Sequence, residues 1–124
     1  MKLLLDTHVL LWWREASARI GSDVRQAIAT ADEVVVSAAS AWEVAIKVAL
    51  GKLRIPSPLD DAVRDSGFDA LPITFSHAAA VTGLAPHHAD PFDRMLIAQA
   101  LVEQLTIVTH DRRFAPYGIP VIWV

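Results

Sequence analysis

The stretch Met1-Lys-Leu-Leu-Leu-Asp6-Thr-His8-Val-Leu-Leu-Trp-Trp13 decides the fold. A short apolar run over residues 2–5 stops at an acid, and the segment Thr7 to Arg14 is too long and apolar for a turn, so a buried strand passes directly into a helix. The same stretch has the apolar character of a secretory leader. Asp6 and His8 break that character and no small-residue cleavage site follows, which favours strand plus helix. Outward from it, Ser22 is placed to cap a helix reaching Thr30, and Glu33 to Ser37 supplies β-branched residues for a second strand. A helix is expected from Ala38 to Leu50, with Trp42, Ala45, Ile46, Ala49 and Leu50 on one face, Glu43 and Lys47 on the other, and Gly51 as its stop.

Ile55 to Pro58 reads as a loop, with Pro58 in the first turn of a short helix ending near Gly67. Further on, Asp69 to Ile73 predicts a strand, Phe75 to Leu84 a helix, Ala85 to Ala89 an irregular loop and Pro91 to Gln104 a long helix. Strands over Thr106–Thr109 and Val121–Val124 end the chain. Short apolar strands alternating with helices imply right-handed crossovers, hence an α/β fold with a central, mostly parallel sheet covered by helices on both faces.

Composition agrees with one globular domain over residues 1–124, 53% hydrophobic and 20% charged. With no cysteine, disulfides and thiolate metal sites are excluded, and a cytoplasmic location is the expectation. No uninterrupted apolar stretch approaches the roughly 18 residues of a membrane span. The net charge of −3 argues against a broadly basic, nucleic-acid-coating protein, so any contact with phosphates has to be local.

In open parallel sheets ligands bind beyond the carboxyl ends of the strands, which is where four acids fall. Asp6 ends the first strand, Glu43 lies in the helix after the second, Asp93 sits in the first turn of the long helix, and Asp111 follows Thr109 by two residues. Each has a structural reading too. Asp6 can cap the helix from Thr7, Glu43 fits a capping box with Ser40 or a pair with Lys47, Asp90 caps the helix that Asp93 enters, and Asp111 can cap the turn through Phe114. As a set they say more, because carboxylates brought within a few ångströms repel and need a cation. Hard oxygen donors favour Mg²⁺ or Mn²⁺, with coordination positions left for a phosphate oxygen and water, the chemistry of a phosphodiesterase.

These same residues carry a resemblance that spans essentially the whole chain. Leu-Leu-Asp6-Thr-His8, Ser37-Ala-Ala-Ser-Ala-Trp-Glu43-Val-Ala-Ile-Lys47, Asp90-Pro-Phe-Asp93-Arg-Met-Leu-Ile-Ala-Gln-Ala100 and Val-Thr109-His-Asp111 resemble the PIN-domain family, specifically VapC-type toxins. The resemblance implies a metal site made by Asp6, Glu43, Asp93 and Asp111, with Thr109 and, less directly, Thr7 in support. It further implies a Mg²⁺-dependent endoribonuclease, with Mn²⁺ as the other candidate ion, acting on an RNA substrate, forming a homodimer and inhibited by a cognate antitoxin. His8 is a departure, since many relatives carry Asn there.

Around the acids, Lys47, Arg94, Arg112 and Arg113 are candidates for a local phosphate-contacting patch, with a solvated charged surface as the equal alternative. His87 and His88 lack the His-x-His-x-Asp-His spacing of metallo-β-lactamase-like hydrolases and read as a solvent-facing pair near the mouth of the site. Trp12, Trp13 and Trp42 read as core or as a partner groove formed by the early helices, ahead of base-stacking platforms. Two rival functions remain. A Mg²⁺-dependent phosphatase of the haloacid-dehalogenase type wants a second Asp two residues after Asp6, where His8 stands. A non-catalytic binding or regulatory module on the same fold would keep the acids only as caps.

Overall fold

The computed structural model describes residues 1–124. Five parallel strands, β1 (Lys2–Leu5), β2 (Glu33–Ser37), β3 (Asp69–Leu71), β4 (Thr106–Thr109) and β5 (Val121–Trp123), form one sheet in the order β3-β2-β1-β4-β5. Leu3, Leu4 and Leu5 lie fully buried at its centre, paired with Val34, Val35 and Val36 on one side and with Thr106, Ile107 and Val108 on the other. A continuous apolar run is what a strand covered on both faces requires.

Successive side chains leave a strand on opposite faces, so the leucines divide between two cores. Leu3 and Leu5 join Val34, Val36 and Val108 against Val9 and Leu10 of α1 (Thr7–Arg14), Ile28 of α2 (Ser22–Thr30) and Leu59 of α4 (Leu59–Asp65). Leu4 joins Val35 and Ile107 against Ala39 of α3 (Ala38–Ala49), Leu96, Ile97 and Ala100 of α6 (Pro91–Glu103), and Phe114. α5 (Phe75–Val81) packs on α6. The result is a three-layer α/β/α fold.

Several boundaries differ from the sequence reading for identifiable reasons. Ser22 is the first residue of α2 and Gly21 holds the cap position, with no side-chain cap bond. Pro58 likewise caps α4 from outside the helix. β3 stops at Leu71, before Pro72, which has no N–H to donate to a ladder. α5 ends at Val81, and α6 ends where Gln104 adopts a left-handed conformation. A 3-10 helix from Arg112 to Tyr117 occupies a segment read only as a turn.

The α3 face bearing Trp42, Ile46 and Leu50 points outward, with Trp42 61% exposed. Ala39, Ser40, Glu43 and Val44 are the buried side of that helix. Small residues there let α3 approach the sheet closely, and Glu43 is drawn inward by polar partners described below.

The strand order reverses beside β1: the chain moves outward through β2 and β3, then returns to β4 on the other side. A crevice opens at such a switch point, beyond the carboxyl ends of the two strands. Asp6 and Asp111 follow those two ends.

Candidate active site

Asp6 leaves β1 and caps α1, its Oδ1 accepting from the Val9 N–H at 2.8 Å. Its Oδ2 accepts from the hydroxyl of Thr109, the last residue of the neighbouring β4, which is itself wholly buried. Burial nevertheless pushes the Asp6 carboxyl above the usual carboxylate range, and the charge of Asp111 pushes the same way. Cap and functional acid are thus compatible roles, since each carboxylate oxygen keeps a further lone pair.

Glu43 enters the same region from α3. That helix begins at Ala38, capped by Ser37 Oγ accepting from Ala39 N at 3.0 Å, so no capping box at Ser40 claims the glutamate. Thr7 Oγ1 lies 2.8 Å from Glu43 Oε1 and 2.9 Å from Ser40 Oγ, linking the start of α1 to α3. Lys47 Nζ holds the other oxygen, Oε2, at 3.0 Å.

Asp93 is presented by the first turn of α6. Asp90 caps that helix, accepting from Asp93 N at 3.0 Å, and Pro91 occupies its first position. The Asp93 carboxyl is pushed up to about 6, chiefly by burial and further by the charges of Asp90 and Asp6, against the opposing hydrogen bond from His88. Asp111 behaves oppositely. Arg113 grips both its oxygens, with contacts of 2.7–3.1 Å, and holds its carboxyl below the usual range.

His88 corrects the sequence reading. It is only 5% exposed and does not face solvent: its Nε2 lies 2.7 Å from Asp93 Oδ2 and 4.0 Å from Asp111 Oδ2. Its backbone N–H donates to Tyr117 Oη at 2.9 Å, and its ring meets the edge of Phe114 at 6.0 Å between centroids. Only His87 of the pair stays exposed. Adjacency to Asp90-Pro-Phe-Asp93 was the available signal, because a loop entering a helix N-terminus beside a functional acid is short enough to share its environment.

The expected basic patch is mostly committed to the protein. Lys47 is held by Glu43 and Arg113 by Asp111, while Arg94 hydrogen-bonds the carbonyls of Val81, Leu84, Ala85 and His88 and the Tyr117 hydroxyl. Arg112 stands apart, over the Trp123 ring at 4.3 Å.

His88 Nε2 and carboxylate oxygens of Asp93 and Asp111 lie within 4.8 Å of one another, and Asp6 acts on Asp93 through space. Glu43 stands one step back, joined to Asp6 through Thr7. The Asp6 and Asp93 carboxyls are raised by desolvation and by neighbouring carboxylates, while Arg113 already balances Asp111, and a hard divalent cation fits the carboxylate oxygens of the three. Thr109 holds the two strand-end acids in place, since its hydroxyl also accepts from Asp111 N at 3.0 Å. Thr109→Val keeps the shape and removes both bonds. We expect a loss of about 1–3 kcal/mol in urea unfolding, because Asp6 Oδ2 loses its buried donor.

Fold and site together define a class: parallel α/β domains that gather acids at the switch point between the first strand and its neighbour. The PIN domain profile matches residues 3–119. The chain is 35% identical to ribonuclease VapC22 of Mycobacterium tuberculosis over 126 residues, covering 95% of this chain and 93% of the relative. It therefore belongs to the PIN-domain family, in its VapC branch. The fold superposes on VapBC2 from Rickettsia felis bound to a DNA fragment from their promoter, with a TM-score of 0.75, 11% identity and coverage of 100% and 99% of the two chains. On DNA-bound VapBC from Salmonella typhimurium the TM-score is 0.73, with 17% identity and coverage of 98% and 97%.

Proposed function

We propose that the chain is a metal-dependent endoribonuclease acting in the cytoplasm as the toxin of a toxin–antitoxin pair, hydrolysing RNA phosphodiester bonds. The carrying observation is the convergence of Asp6, Asp93 and Asp111 at the switch point, with Asp6 and Asp93 raised by burial. Identity to ribonuclease VapC22 supports the substrate class, and the match to VapBC structures supports the fold on which such toxins are built.

In this reading Asp6, Asp93 and Asp111 hold Mg²⁺ or Mn²⁺, with Glu43 beside them. The ion, when bound, polarises a phosphate oxygen and favours ionisation of a water molecule. The chain's own residues fix the geometry. Thr109 orients Asp6, Thr7 orients Glu43, and Lys47 balances part of its charge. His88 is a positioning residue: by donating from Nε2 to Asp93 Oδ2 it fixes the Asp93 carboxylate, leaves Oδ1 free for a cation that the acids would hold, and stands between the charges of Asp93 and Asp111.

Replacing His88 by Leu is expected to weaken Mn²⁺ binding by about 10–100-fold, the range typical for lost supporting partners of metal ligands. His88→Gln, which keeps an N–H donor, should recover much of it. Calorimetric titration of both variants measures the difference, and equal loss in the two would leave His88 with a packing role only.

Outward-facing apolar side chains give partners a place to bind. Trp42 packs edge-on against Phe92 at 5.3 Å while remaining mostly exposed, and Phe75 is 95% exposed. A groove of about 520 Å³ between α3, α4 and β3, lined by Ala41, Leu59, Val63 and Phe68, suits an apolar antitoxin segment. The Trp42–Phe92 surface suits a homodimer. Total bacterial RNA incubated with the purified protein and Mg²⁺ or Mn²⁺ tests the activity. Discrete fragments that vanish with EDTA support it, whereas intact RNA with metal-loaded, antitoxin-free protein sinks it.

A further inference from the structure

A second feature opens beside the acids. A cleft of about 410 Å³ runs from Asp6 and Asp111 along His8, Trp12, Arg19, His110 and Arg112. Its walls are aromatic and cationic. The Arg19 guanidinium lies over the Trp12 ring at 5.1 Å, His110 meets the same ring edge-on at 5.8 Å, and His8 lies 6.1 Å from it. Arg112 lies over Trp123 at 4.3 Å. Both guanidinium groups are held by rings, not by carboxylates. The other arginines around the site are occupied, Arg113 by Asp111 and Arg94 by backbone carbonyls.

In a chain of net charge −3, an unpaired pair of arginines beside a cluster of acids runs against the general field. An anionic substrate has to overcome repulsion from those acids, and a cationic wall at their edge is the local device that does so. Cation–π contact costs Arg little when a phosphate arrives, because the guanidinium edge stays free to donate while its face rests on the ring. The rings of the cleft are flat surfaces of the kind on which unpaired bases stack, and a paired duplex does not offer such bases.

We infer that this cleft is the binding subsite for the single-stranded RNA segment adjoining the cleaved bond, with Arg19 and Arg112 taking successive phosphates and Trp12 with its flanking imidazoles facing a base. The inference rests on the ribonuclease reading and extends it to the path of the substrate.

The test uses a fluorescein-labelled single-stranded RNA oligonucleotide and the full-length protein in EDTA, followed by anisotropy over a salt series. Arg19→Gln combined with Arg112→Gln should weaken binding by about tenfold or more. It should also flatten the plot of log affinity against log salt by about 1.4, roughly 0.7 for each phosphate lost from a single strand. Circular dichroism of the double variant checks that it is folded, and Arg54→Gln combined with Lys52→Gln, from an exposed loop outside the cleft, controls for net charge.

An unchanged salt slope in the folded double variant overturns the inference. So does binding of a polyglutamate peptide as tight and as dependent on the two arginines as that of RNA, which would assign the cleft to an acidic protein segment. Failure of the two readings is distinguishable. Arginine-dependent RNA binding by a wild type that cuts nothing with added metal removes the nuclease reading and keeps the subsite. Metal-dependent cutting with no arginine dependence does the reverse.

Discussion

Asp93→Asn is expected to abolish RNA cleavage, by about 10²–10³-fold or more, while leaving the metal-free protein at least as stable as the wild type. The two halves have one cause. Asp93 is half-buried, and desolvation, with Asp90 and Asp6 adding like charge, outweighs the hydrogen bond from His88 and raises its carboxyl to about 6. A carboxyl raised in the folded state makes its full contribution to stability at pH below the unfolded value of 3.8, and loses it as pH rises through about 6. At neutral pH the ionised Asp93 therefore opposes folding. The full shift corresponds to about 3 kcal/mol, and partial solvent screening reduces it to roughly 1–2 kcal/mol.

Asparagine removes that charge, and its amide oxygen can still accept from His88 Nε2–H. Thermal melts of the metal-free proteins near neutral pH should thus rank the variant equal to or above the wild type, with the gap closing as pH falls from about 6 toward 3.8. Added Mn²⁺ should stabilise the wild type alone, since only the wild type keeps the full set of acids. A variant that loses cleavage together with several kcal/mol of metal-free stability would show that Asp93 serves the fold, and the active-site assignment would fail.

Strand and helix placement was legible because the sheet is parallel and buried on both faces. Leu3–Leu5, Val34–Val36 and Ile107–Val108 announce central strands by continuous apolarity, and the caps at Asp6, Ser37 and Asp90 mark the helices that follow. Orientation was harder to read for α3. Its apolar residues are numerous enough to form two faces, and the buried one carries Ser40 and Glu43, both bonded to Thr7, which leaves Trp42 outside. Periodicity alone carries no information about that polar contact, which joins residues 36 apart in sequence.

The site divides in the same way. Asp6 and Asp111 could be placed beyond strand ends, Asp93 in a helix first turn and Glu43 on the helix after the second strand from the sequence alone. Their supporting groups depend on loop conformation: whether His88 faces solvent or Asp93 is decided by how the segment Ala85–Ala89 turns, and no local pattern specifies that turn. The arginines illustrate the limit more sharply, because Arg94, Arg112 and Arg113 are equivalent as sequence symbols. One is enclosed by carbonyl groups, one lies on an indole and one grips a carboxylate. Their partners lie on other elements, or depend on backbone geometry that forms only with the fold.

Arg94→Met should be the most destabilising change near the site, although Arg94 touches none of the acids. Its guanidinium donates at 3.0–3.3 Å to four carbonyls between Val81 and His88 and to Tyr117 Oη. Tyr117 in turn donates to Ala85 O at 2.9 Å and accepts from His88 N. One side chain thereby closes the irregular segment between α5 and α6, where Val81 O has the Leu84 N–H and Ala85 O the Tyr117 hydroxyl as further donors. Methionine supplies comparable bulk without donors. Hydrogen bonds from a charged donor contribute about 1.5–3 kcal/mol each, but water can reach some of the freed carbonyls, so a net loss of about 3 kcal/mol is expected. For a chain of this length that is a fall of roughly 10 °C in Tm. The loop carries His88, so the variant should also bind Mn²⁺ more weakly even at temperatures where it is folded. A melt within about 2 °C of the wild type, or a clear loss of stability with unchanged Mn²⁺ affinity, would break the link from Arg94 through the loop to Asp93. Arg94→Lys should recover little, because a single ammonium cannot span four carbonyls that the planar guanidinium reaches from two nitrogens.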